Sequence, residues 1–152
     1  MRSFDEMVPV LRNFSRAMAK YSQIERKAFD FGIGMELYPA EIHMVMAVDM
    51  RDGAGVTELA EELGITKGAV SQLVTKLVKK GLLLKEPDPE NGSRVVVMTT
   101  EIGHAASENH LAFHRDHDKI FLEYMATLDA ASYATVSQLS EQMEKWMDNY
   151  LK

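Results

Sequence analysis

The sequence predicts a mainly α-helical chain with one small β-hairpin, in which a compact pair of short helices is flanked by long terminal helices. Three observations carry this. Apolar residues recur three and four apart through both ends of the chain, two short helical segments meet at Gly64, and two strand-like runs follow with only turn chemistry between them.

The chain has 152 residues, 46% of them hydrophobic and 26% charged, which suits a soluble globular protein able to bury its own core. There is no cysteine, which excludes a disulfide scaffold, a thiolate zinc site and a cysteine nucleophile. Acids near the N-terminus and the shortness of the longest apolar run, Met44 to Val48, predict a cytoplasmic chain without a membrane span. The net charge of −6 argues against a general polyanion binder. The charge is uneven, however: five lysines and no acid lie between Gly64 and Lys85, while Glu101 to Lys152 carries nine acids against four bases. One cationic face on a repulsive body is the expectation.

The first segment places Phe4, Met7, Leu11, Phe14, Met18 and Tyr21 on one helical stripe, continued less regularly through Ile24, Ala28 and Phe31. A long amphipathic helix results, started or interrupted at Pro9 and ended by Gly32 and Gly34. A second helix opens at Tyr38-Pro39-Ala40-Glu41 and runs to about Met50, apolar nearly all round and therefore buried. After the turn at residues 52–55, Thr57 caps a short helix to Leu63, and Gly64 supplies a left-handed end. Thr66 caps the next helix, Lys67 to Lys80, closed by Gly81. Leu82 to Lys85 and Val95 to Thr99 are strands around a turn at residues 87–93, and a long helix begins near Thr100. The last segment repeats the amphipathic seam at Val136, Leu139, Met143, Trp146 and Tyr150. The order is that of a winged helix-turn-helix. Residues 38–100 form that domain, and 1–34 and 101–152 form helices whose seams are read as burying against a second copy.

In the helix from Lys67, the residues Val70, Leu73, Val74, Leu77 and Val78 fall on one stripe, with Ile65 anchoring the corner before it. The opposite side presents Gly68, Ser71, Gln72, Thr75, Lys76 and Lys79. Gly68 and Ser71 let the backbone approach a groove, Gln72 can read adenine bidentately, and Lys76 can reach guanine or phosphate. Thr66, Lys67 and the free N–H groups of the helix start suit a phosphate anchor.

The chain here resembles the MarR family of winged-helix transcription factors, from about Tyr38 to Phe121. The resemblance rests on "YPAEIHMVMAV", "VTELAEELGITKGAVSQLVTKLVKKGLL" and "DPENGSRVVVMTTEIGHA". It implies a homodimer held by terminal helices, a recognition helix in each major groove of a palindromic operator, wings in the minor groove, and most commonly repression. The wing arginine of the family falls on Arg94. The wing tip carries Asp88 and Glu90 and lacks a second arginine, so the hairpin reads equally as a structural closure with Arg94 paired to Asp88.

His110, His114 and His117 share one helical stripe that continues into Phe121 and Tyr124, and so reads as inward-facing. His110 and His114 stand one turn apart, the spacing at which two imidazoles share a tetrahedral zinc. His43 in the apolar helix and Glu25 on the first helix complete a three-histidine, one-carboxylate set, with His117 as an extra ligand or a supporting residue. The set resembles the zinc-responsive repressors of the family. Their second, cysteine-containing site has no counterpart in a chain without cysteine. Histidines on an inner helix face also serve as ordinary hydrogen-bonded core residues, so two readings stand. The alternative effector is a small aromatic or phenolic ligand in a cleft lined by residues such as Met18, Tyr21, Met46 and Phe113. No glycine-rich phosphate loop, His-Glu-x-x-His or nucleophile elbow is present, so the chain is read as no enzyme.

Overall fold

The computed structural model describes residues 1–51, 53–88 and 95–151, so the expected residues of the wing tip, Glu90 and Arg94, lie outside the described residues. The chain divides into two compact units, Met1–Leu111 and Ala112–Lys152.

In the first unit, α1 (Phe4–Ile24) starts with a reciprocal cap. The Ser3 hydroxyl accepts from the Glu6 N–H at 3.3 Å, and the Glu6 carboxylate accepts from the Ser3 N–H at 2.8 Å. Two expectations are corrected here. The helix runs straight through Pro9, and it stops at Ile24 instead of reaching the glycines. Beyond it, β1 (Phe29–Asp30) pairs antiparallel with β2 (Glu36–Leu37). The Asp30 carboxylate accepts from the N–H groups of Gly32 and Ile33 at 2.9 and 3.2 Å, an Asx turn that competes with helix. Gly32 and Gly34, at φ +75° and +69°, therefore shape a hairpin loop.

The core centres on α2 (Pro39–Asp49), whose Ile42, Met44, Val45 and Val48 are wholly buried. Around it pack α3 (Val56–Leu63), α4 (Lys67–Lys79) and the antiparallel pair β3 (Leu83–Pro87) and β4 (Val95–Thr99). Leu59, Val70, Val74, Leu77 and Leu82 close the core with no exposure. Each such side chain contributes about 1.5–3 kcal/mol of burial. The predicted cap of α3 shifts: Gly55 is the N-cap, its N–H bonded to the Glu58 carboxylate at 2.8 Å, and Thr57 lies inside the helix. Gly64 ends α3 at φ +64°, as its left-handed role requires. Ile65, expected as a buried anchor, is 38% exposed. The hairpin registers Leu83 against Thr99 and Pro87 against Val95, and Ala54 adds a bridge to Val97.

The helix α5 (Glu101–His117) is locked on by Thr100. Its hydroxyl donates to the Gly81 carbonyl at 2.7 Å and accepts from the Gly103 N–H at 3.1 Å. The α5 backbone approaches the hairpin so closely that a Cβ on Gly103 would stand 2.1 Å from the Leu82 carbonyl oxygen. In the second unit α5 ends at His117, and α6 (Lys119–Ala126) and α7 (Ala130–Leu151) follow. The break overturns the continuous inward stripe: Phe121 and Tyr124 stand on α6, 63% and 64% exposed, and His114 and His117 are exposed too.

Candidate nucleic-acid interface and metal centre

The helix-turn-helix is α3, the Gly64 turn and α4. The Thr66 hydroxyl accepts from the Ala69 N–H at 3.2 Å and so fixes the start of α4. Val70, Val74 and Leu77 bury one side, and Thr66, Lys67, Gly68, Ser71, Gln72, Thr75 and Lys76 are all exposed on the rest. A Cβ on Gly68 would meet nothing nearer than the Thr66 hydroxyl at 3.9 Å, so the fold itself leaves room for a side chain there.

Two members of this face are partly engaged. The Thr75 hydroxyl donates to the Ser71 carbonyl at 2.8 Å, which occupies its proton. The Lys76 ammonium lies 3.0 Å from the Glu41 carboxylate and 5.7 Å from the centre of the Tyr38 ring. Glu41 is 2% exposed, also pairs with Lys80 at 2.7 Å, and accepts from the Tyr38 N–H at 2.9 Å. Burial acts to raise its pKa, but Lys80, the Tyr38 N–H and Lys76 together outweigh it and hold the carboxyl below its ordinary value. A buried carboxylate thus ties α4 to α2. In the sequence Glu41 stands only as part of the opening Tyr38-Pro39-Ala40-Glu41 of the second helix. The i, i+4 spacing of Lys76 and Lys80 was the available signal.

His110 is buried to 3% exposure between Phe31 and His43, with ring centroids 5.0 and 5.2 Å away. His114, one turn further along the same continuous helix, joins them: one ligand nitrogen from each of His43, His110 and His114 lies within 4.8 Å of the others. Three imidazoles suit zinc, which favours nitrogen donors in a small tetrahedral set. Glu25 stands outside that group. Its carboxylate accepts from Tyr21, which raises the phenol pKa. It lines a cavity of about 200 Å³ with His43, Ala40, Leu63, Ile65 and Leu73. His117 is not in the group either; its Nδ1 meets the Phe113 carbonyl at 2.9 Å and its ring stacks on Phe113 at 3.8 Å.

The fifth histidine belongs to a separate interlock. His104 Nδ1 lies 2.9 Å from the Asp49 carboxylate, which also accepts from the Thr99 hydroxyl at 3.0 Å. The end of α2, the base of the hairpin and the start of α5 are thereby joined. The hydrogen bond from His104 to Asp49 and its negative charge raise the imidazole pKa.

Residues 37–92 match the MarR family. Over 102 residues the chain is 26% identical to the uncharacterized HTH-type transcriptional regulator YhjH of Bacillus subtilis, covering 67% of this chain and 58% of that protein's length. The zinc-responsive MarR family member ZitR of Lactococcus lactis superposes with a TM-score of 0.69 at 18% identity, over 92% of this chain and 99% of its own. A mutant of MarR from E. coli complexed with operator DNA gives 0.65 at 20% identity, over 94% and 99%. The solved structures establish a shared fold, and within it the sequence match to the MarR family spans the segment 37–92 that contains α3 and α4.

Proposed function

We propose that the chain is a DNA-binding transcriptional regulator, a repressor, that works as a homodimer on a palindromic operator and takes zinc as its effector. The observation that carries this is the exposed polar side of α4, presented by a helix-turn-helix whose other side is core. Gln72 and Lys76 read bases, Thr66, Lys67 and Thr75 position phosphates, and Gly68 and Ser71 allow close approach. Arg94 is assigned to the minor groove on the resemblance of the hairpin alone. Of the relatives, MarR is in complex with operator DNA and ZitR is zinc-responsive.

The apolar surface supports the second copy. No residue of α1 or α6 is buried, and Phe4, Val10, Ile120 and Phe121 are 70%, 52%, 85% and 63% exposed. Tyr133 and Leu139 on α7 are 56% and 44% exposed. Faces of this kind mark an interface.

His43, His110 and His114 would hold zinc, with Glu25 near enough to the cavity beside His43 to be the candidate fourth ligand. Bound zinc would supply a cross-link between α2 and α5. His43 stands two residues from Glu41, whose lysine pairs hold α4, so fixing α2 fixes the reading helix. Fluorescence anisotropy on the DNA upstream of the chain's own gene tests this reading. Zinc should change operator affinity severalfold, and His110→Ala with His114→Ala should remove that dependence while leaving the helical circular dichroism intact. Equal affinity with and without zinc overturns the zinc assignment.

A further inference from the structure

Asp118 occupies the N-cap of α6, where an aspartate ordinarily accepts hydrogen bonds from the first free N–H groups of the helix. Its carboxylate makes no such bond. It turns back one helical turn and lies 2.6 Å from Nδ1 of His114. A carboxylate oxygen at that distance from a ring nitrogen requires the proton to sit on that nitrogen. The imidazole is thereby held with Nδ1 as donor, leaving Nε2 as the nitrogen whose lone pair can bind a metal. In free histidine the proton prefers the other nitrogen, so this is a selection made by the neighbour.

We propose that Asp118 is a positioning residue for the three-histidine centre: it fixes the tautomer and ring orientation of His114 so that Nε2 serves as the ligand. This rests on the zinc reading above. It adds a residue outside the donor set and assigns it a chemical task. A carboxylate behind a ligating imidazole holds the ring in the orientation the cation needs. His110, by contrast, is held by the rings of Phe31 and His43 around it, so burial orients it. His114 is 47% exposed at its side chain and needs a polar partner to select one orientation. Because the same carboxylate stands at the α5–α6 junction, loading His114 bears on the residue where the helix breaks.

Zinc titration by competition with a chelating indicator, together with nitrogen-15 NMR of the histidine rings, tests the proposal on the full-length protein. In the metal-free wild type at alkaline pH, His114 should show the Nδ1–H tautomer. Asp118→Ala should shift it to the Nε2–H form and weaken zinc about 10- to 100-fold. Asp118→Asn, which keeps an acceptor without charge, should fall between the two. Unchanged zinc affinity in both variants, with His114 as a ligand in the wild type, overturns the role of Asp118 and leaves the zinc reading standing. A wild type that binds no zinc at the histidines overturns both. The Asn variant keeps the size and shape of the side chain at the junction, so a loss seen only in a misfolded Ala variant counts against the proposal.

Discussion

Replacing Glu41 with alanine removes one carboxylate and three interactions at once. The Tyr38 N–H loses its acceptor at 2.9 Å, and Lys80 and Lys76 lose a partner at 2.7 and 3.0 Å. A lost N-terminal cap costs about 1 kcal/mol. The charge-assisted bonds contribute roughly 1.5–3 kcal/mol each before the cost of desolvating a carboxylate that is 2% exposed. Desolvation cancels much of that gain, and both lysines reach water once released, so a net loss of about 2–3 kcal/mol is expected. For a chain of this size that lowers the melting temperature by roughly 4–12 °C. The sign with pH follows from the depressed carboxyl. Its stabilisation is full above the ordinary value of 4.5 and is lost as pH falls through the lower folded value. Thermal denaturation at fixed protein concentration should therefore show the full gap between wild type and variant at neutral pH and a shrinking gap in acid. A gap that is absent at neutral pH, or equally large in strong acid, refutes the assigned role of the carboxylate.

Gly103→Ala places a methyl 2.1 Å from the Leu82 carbonyl oxygen, so α5 must shift; a loss of about 1–3 kcal/mol in urea titration is expected, and an unchanged midpoint contradicts the close approach. His104→Gln tests the interlock with Asp49. Because the imidazole pKa is raised, its stabilisation is full below the ordinary histidine value of 6.5 and disappears as pH rises past the folded value, so the two proteins should differ in acid and converge in alkali. Gln72→Ala should cost about 1–3 kcal/mol of operator affinity and relax discrimination at one base position. Lys67→Ala should instead weaken all sequences alike and reduce the salt slope by about one.

The helix-turn-helix was legible because its signals agree at every level. The stripe from Val70 to Leu77 buries as its period requires, Gly64 takes the left-handed turn, and the strands register about the predicted turn. The end of α1 was not legible. Ile24, Ala28 and Phe31 keep a nearly helical spacing, and only the Asp30 side chain bonding forward to two N–H groups reveals a turn. The histidine stripe misled for a related reason, since periodicity assumes an unbroken helix and Asp118 breaks this one. His43, His110 and His114 do come together, while Glu25 stays outside the group, because helical spacing fixes the pair on α5 but says nothing of where α1 ends. The Glu41 pairing with α4 is tertiary: the i, i+4 spacing puts Lys76 and Lys80 on one face but does not say which acid they meet.

Hydroxyl-radical footprinting of the upstream DNA, with sedimentation analysis of the complex, tests the central claim most directly. Two α4 helices read by one dimer should protect two half-sites related by symmetry, centred roughly 34–36 Å apart, one turn of duplex. Absence of saturable protection with and without zinc, or a single half-site covered by a monomer, contradicts it.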